Sequence, residues 1–73
     1  MLEKIIQLLD DHFVFDDQEI TAESDLRMEL YLDDKDMENL IIALEDEFDI
    51  DLSDLDPDYL FIVDDIVNAV LNR

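Results

Sequence analysis

An all-α fold is expected for this chain: a small four-helix bundle of three main helices and one short one, with a long first crossover loop. Three observations predict it. Glycine is absent and proline occurs once, at Pro57, so the tight hairpin turns that favour glycine have little support. Apolar residues make up 49% of the 73 positions and recur from end to end, unlike a disordered acidic segment. Those residues also fall three and four apart, the repeat of one helix face.

Helix one is expected at about 2–14. Leu2, Ile5, Ile6, Leu9 and Phe13 share one face, with Glu3, Lys4, Gln7 and Asp10 on the other. A long connection from Val14 to Leu32 follows, anchored by Phe15, Ile20, Leu26, Met28, Leu30 and Leu32. Helix two is expected at about 35–47, on the stripe Met37, Leu40, Ile41, Leu44 and Phe48. Asp33, Asp34 and Asp36 supply acids for its cap and first turn, where carboxylates accept from free amides and meet the positive end of the helix dipole. From Asp49 to Asp56 acids alternate with Ile50, Leu52 and Leu55, read as a loop that turns its apolar residues inward. Pro57 suits the first position of a short helix at about 57–61 capped by Asp56. Ile62, Val63, Ile66, Val67, Val70 and Leu71 give a last helix at about 63–71, whose β-branched residues need burial to hold it.

The charge excludes several partners. Asp and Glu number 23 against 4 Lys and Arg, a formal net charge of -19. Such a surface repels phosphate backbones and anionic lipid headgroups, so neither nucleic acid nor membrane is an expected partner. The N-terminus lacks a basic leader with a long apolar run, and no stretch approaches about 18 apolar residues, so a cytoplasmic location is expected. With no Cys and one His, His12, there is no disulfide and no spacing for structural zinc. A single domain spanning 1–73, monomeric and of marginal stability, is the expectation, because a chain of this size buries only roughly 60% of the surface it exposes when unfolded.

Specific strings then add up. Ile20-Thr21-Ala22-Glu23-Ser24-Asp25-Leu26, Met28-Glu29-Leu30, Ala43-Leu44-Glu45-Asp46-Glu47-Phe48-Asp49-Ile50 and Val63-Asp64-Asp65-Ile66-Val67 follow one another at fixed spacing. In that order the chain resembles the acyl carrier proteins, the phosphopantetheine-bearing domains of fatty-acid and polyketide synthesis. The resemblance covers almost the whole length. It implies an acyl-carrier-like four-helix bundle whose second helix is the partner-recognition face, with the prosthetic group on the Ser of an Asp-Ser-Leu motif at the start of that helix. The matching residues here are Asp33-Asp34-Lys35, so Asp34 stands where the resemblance puts the serine. A carboxylate cannot form the phosphodiester to the pantetheine arm. Tyr31 also replaces the family's usual Gly, and Lys35 its usual apolar residue.

Asp34 is read as the cap of helix two, with a fixed anion for a basic partner as the functional alternative. Ser24 and Ser53, the only serines, are read as loop or cap residues outside any matching motif. Asp34, Asp36, Glu38 and Glu45 fall at offsets of an EF-hand loop, but the helical stripe through Leu40, Ile41 and Leu44 points to a solvated helix face. Asp16-Asp17 with Glu19, Asp49 with Asp51, and Asp64-Asp65 are loose divalent-cation candidates at best. Independent catalysis is not expected, since paired carboxylates need a cleft to separate their pKa values and His12 has no evident nucleophilic partner. Phe13, Phe15, Met28, Met37, Phe48 and Phe61 are assigned to the core, and Tyr31 to an interface or to packing over the loop. The resulting expectation is a non-catalytic protein-binding module with no phosphopantetheine and no specific metal. It presents Tyr31, Asp33, Asp34, Lys35, Asp36, Glu38, Glu45 and Glu47 to a partner protein with a basic groove. The alternative is a genuine carrier whose attachment site is mutated or unidentified.

Overall fold

The computed structural model describes residues 1–13, 15 and 19–72. Among these residues three α-helices and one short 3-10 helix follow in the order α1 (Leu2–His12), α2 (Asp34–Phe48), η1 (Pro57–Tyr59) and α3 (Val63–Leu71). The bundle is all-helical among the described residues, apart from one isolated antiparallel bridge between Asp25 and Ile62.

α1 buries Ile5, Leu8 and Leu9, with Leu2, Ile6 and Phe13 half-buried against the same core. It stops at His12, short of the expected end at 14. Phe13 turns extended (φ -130, ψ 153) while its N–H still donates to the Leu9 carbonyl, which closes the last turn. Val14 lies outside the described residues, as do Asp16 and Asp17 of the first acidic cluster. α2 sinks Met37, Leu40, Ile41 and Leu44. It ends at Asp49 in the left-handed conformation (φ 53, ψ 51), where the amides of Asp49 and Ile50 both donate to the Glu45 carbonyl. Asp is among the few non-glycine residues that visit this region readily.

η1 is shorter than expected. Asp56 caps it by accepting from the Asp58 N–H, and Pro57 opens it, but the chain leaves the helix after Tyr59 so that Leu60 enters the core. α3 buries Val63, Ile66, Val67 and Val70, which supplies the packing that its β-branched residues need. Ile62 has no polar side chain to cap α3. Instead the Asp65 carboxylate reaches back to the amides of Phe61 (2.9 Å) and Ile62 (3.1 Å). The amides of Val63 and Asp64 donate to the carbonyls of Ser24 (3.1 Å) and Ala22 (2.8 Å) in the long connection.

That connection is therefore part of the body of the fold. Ile20, Leu26, Leu30 and Leu32 are buried, and the Leu26 amide donates to the Phe61 carbonyl at 2.9 Å. Asp25 builds the turn between them, its Oδ1 accepting from the amides of Arg27 (2.9 Å) and Met28 (2.8 Å). The loop after α2 turns inward as expected, with Leu52 buried and Ile50 and Leu55 packed on the core. Two core assignments need correction. Met28 and Phe61 are 75% and 61% exposed, because Met28 occupies a turn and Phe61 follows Leu60 between η1 and α3, where the Leu60 side chain takes the inward place.

Candidate functional site

The chemistry-bearing part of the chain gathers at the first turn of α2 and along its outer side. Asp33 is extended (φ -89, ψ -177) and is the N-cap: its Oδ1 accepts from the Asp36 amide at 2.8 Å. Asp36 returns the contact, its Oδ2 accepting from the Asp33 amide at 3.2 Å, which completes a capping box. The cap is thus Asp33, not Asp34 as the sequence suggested. Asp34 already lies inside the helix, so its side chain is free to point elsewhere.

It points at Arg27. Arg27 Nη1 donates to Asp34 Oδ1 at 2.7 Å, and Nη2 lies 3.7 Å from Asp58 Oδ1 in η1. One guanidinium therefore bridges the long connection, the start of α2 and η1. Its hydrogen bond to Asp34, helped by the charges of Asp34, Asp58 and Asp33, holds Arg27 above its ordinary pKa. The Asp34 side chain is 87% exposed, so the pair is wet and open to screening. Arg27 was not among the expected site residues. It precedes Asp34 by seven positions across an irregular turn, where no periodicity announces a contact.

Tyr31 lies just before this turn. Its φ of 57 is left-handed, the region where a β-carbon is disfavoured, and its side chain is 80% exposed. The ring is thus displayed to solvent rather than packed over the loop.

Along α2, Asp33, Asp34, Lys35, Glu38, Asn39, Ile42, Asp46 and Glu47 are exposed and Asp36 is half-buried. The structure does not group all the expected acids. Glu45 is half-buried, and its Oε2 accepts from the Leu52 amide at 2.9 Å, which fastens the following loop to the helix. Glu47, two residues on, is turned by about 200° from Glu45 at about 100° per residue. It lines a groove against α1 together with Glu3, Lys4, Asp11 and His12. Asp33, Asp34, Lys35 and Glu38 remain together at the start of the helix, and Asp46 extends the acidic side. Ile42, which no expectation singled out, sits among them at 62% exposure. Its signal was available, since it falls off the apolar stripe and so had to face solvent.

Ser24 is buried, with its hydroxyl accepting from the Thr21 amide at 2.9 Å. Ser53 is exposed in the loop after α2. Continuous helix through Asp34–Phe48 leaves no EF-hand loop, and among the described residues no group of three His, Cys, Asp or Glu is arranged to hold a metal. No described helix is long and apolar enough to cross a membrane.

No family model and no solved structure matches the chain. A curated relative does. The chain is 36% identical over 70 residues to a protein of Clostridium acetobutylicum named acyl carrier protein, in an alignment covering 96% of this chain and 91% of that one. With that identity spread over nearly both full lengths, the chain belongs to the acyl carrier protein family.

Proposed function

We propose that this family member is a non-catalytic protein-binding module that carries no phosphopantetheine and meets a basic groove of a partner protein with the acidic start of α2. The observation that carries the first half is Asp34. It occupies the position that the resemblance gives to the attachment serine, and its carboxylate is engaged by Arg27 at 2.7 Å. A phosphodiester to the pantetheine arm needs a side-chain hydroxyl. Neither serine replaces it, because the Ser24 hydroxyl is buried and hydrogen-bonded to Thr21, and Ser53 stands in no matching motif. The residues present do not fit the group.

The second half rests on charge. Asp33, Asp34 and Glu38 are exposed on the first turns of α2, with Lys35 the one base among them, in a chain of net charge -19. Tyr31 beside them is an aromatic anchor for the same interface. Glu45 and Glu47 drop out as primary contacts, since the first is occupied by Leu52 and the second faces α1. Electrostatic docking of this kind sets encounter rate and specificity, so partner binding should weaken steeply as salt rises. The module works as a single monomeric domain in the cytoplasm.

A genuine carrier function is the second reading, favoured by the printed name of the relative. Incubation with coenzyme A and a broad phosphopantetheinyl transferase separates the two. The unaltered chain is expected to keep its mass, while Asp34→Ser gains one pantetheine arm. A mass gain on the unaltered chain, mapped to any residue, refutes the module reading.

A further inference from the structure

We propose that Arg27 decides which kind of base a partner can set against Asp34. By holding one carboxylate oxygen it leaves room for a single-point donor, the ammonium of a lysine, and denies an arginine its two-oxygen fork. The inference rests on the acidic docking reading above and names the chemistry of one partner residue.

A carboxylate presents two oxygens, and a guanidinium binds it most strongly when two parallel N–H groups meet both. Here Arg27 Nη1 donates to Asp34 Oδ1 at 2.7 Å, and among the described residues no hydrogen bond reaches Oδ2. The contact is one-sided. Nη2 lies instead 3.7 Å from Asp58 Oδ1, so Arg27 spans two carboxylates and leaves half of Asp34 open. Its backbone is fixed as well, because the Arg27 amide donates to Asp25 Oδ1 at 2.9 Å and the preceding Leu26 is fully buried. The Arg27 side chain is 35% exposed against 87% for Asp34, so the carboxylate is the group that a partner reaches first.

Charge does not close the site to a second base. Asp34, Asp58 and Asp33 all act on the one guanidinium, and three carboxylates around one cation leave the cluster negative. An incoming base is therefore attracted, but it must share Asp34 with Arg27. An ammonium is a compact point charge that needs only the open Oδ2. A guanidinium is a planar fork whose advantage over an ammonium depends on finding both oxygens free.

Two synthetic amphipathic peptides test this, identical except that every base is Lys in one and Arg in the other, titrated calorimetrically at low salt. Their affinities for the unaltered chain are expected to agree within about twofold. Arg27→Ala frees Oδ1, and should tighten both peptides while favouring the Arg peptide by about fivefold, the scale of a fork over a single contact. Adding Asp34→Asn should return that ratio to its starting value. An Arg preference of equal size in the unaltered chain and in Arg27→Ala overturns the proposal and leaves acidic docking standing. A second reading needs no variant: slowed rotation of the Arg27 guanidinium, followed by nitrogen NMR, should persist when the Lys peptide saturates the unaltered chain. Loss of that signature at saturation means that the partner's base displaces Arg27, and overturns the proposal too. No binding of either peptide at low salt overturns the docking reading and the proposal together.

Discussion

Tyr31 holds a backbone conformation that its own β-carbon opposes. At φ 57 a non-glycine residue costs about 1–2 kcal/mol, and with the ring 80% exposed little packing offsets it. Glycine would relieve that strain but lose roughly 0.5–1 kcal/mol of chain entropy, so Tyr31→Gly should stabilise the fold by about 0.5–1 kcal/mol. Thermal unfolding checks this. An unchanged or lower midpoint would mean that the ring packs more than its exposure suggests. The resemblance places a glycine here, the residue that a left-handed φ favours. At the next turn, Asp33→Ala removes a capping box and should cost about 1 kcal/mol, whereas Asp34→Ala should cost less, because Asp34 caps nothing. Paired urea titrations distinguish the two. The sequence made an acidic cap legible, but three acids in four residues left the identity of the cap open, and only the extended backbone of Asp33 decides it.

The elements that were most legible are those with a stripe. α2 and α3 fall within a residue of their expected bounds, because Met37, Leu40, Ile41 and Leu44, and Val63, Ile66, Val67 and Val70, repeat at helical spacing and are buried as a set. The connection before α2 was legible only as apolar anchors. Its role in capping α3 through the carbonyls of Ala22 and Ser24 depends on a contact across some forty residues, which no local pattern encodes. Arg27 and its two carboxylate partners are hidden for the same reason. Because Leu26 is fully buried in this segment, Leu26→Ala should destabilise by about 2–5 kcal/mol, as a core truncation does. A loss well under about 1 kcal/mol in denaturant unfolding would show the connection to be a detachable loop. Arg27→Ala should leave that core intact and raise amide hydrogen exchange around residues 25–32 and in η1, since it removes a side chain that ties both to Asp34. Exchange unchanged in both segments would mean that the ion pair holds nothing in place.

At the scale of the molecule, the acids dominate. The fold measures 31 × 22 × 19 Å, and the screening length is roughly 30 Å at about 0.01 M salt but roughly 10 Å at about 0.1 M. At the lower salt most of the charges lie within one screening length of one another, whereas at the higher only neighbours interact. Salt weakens the Arg27 pair as well, but a net charge of -19 means that repulsion is the larger sum. The melting temperature should therefore rise by several degrees over that range, and a flat or falling midpoint would show that local ion pairs outweigh the overall charge. The same acids shape the function proposed for the fold: a carrier's docking helix kept acidic, with a carboxylate where its cargo would be attached. Intact mass of the unaltered chain, after co-expression with a broad phosphopantetheinyl transferase, tests that account most directly. The predicted result is the unmodified mass, and a species heavier by one pantetheine arm would contradict it.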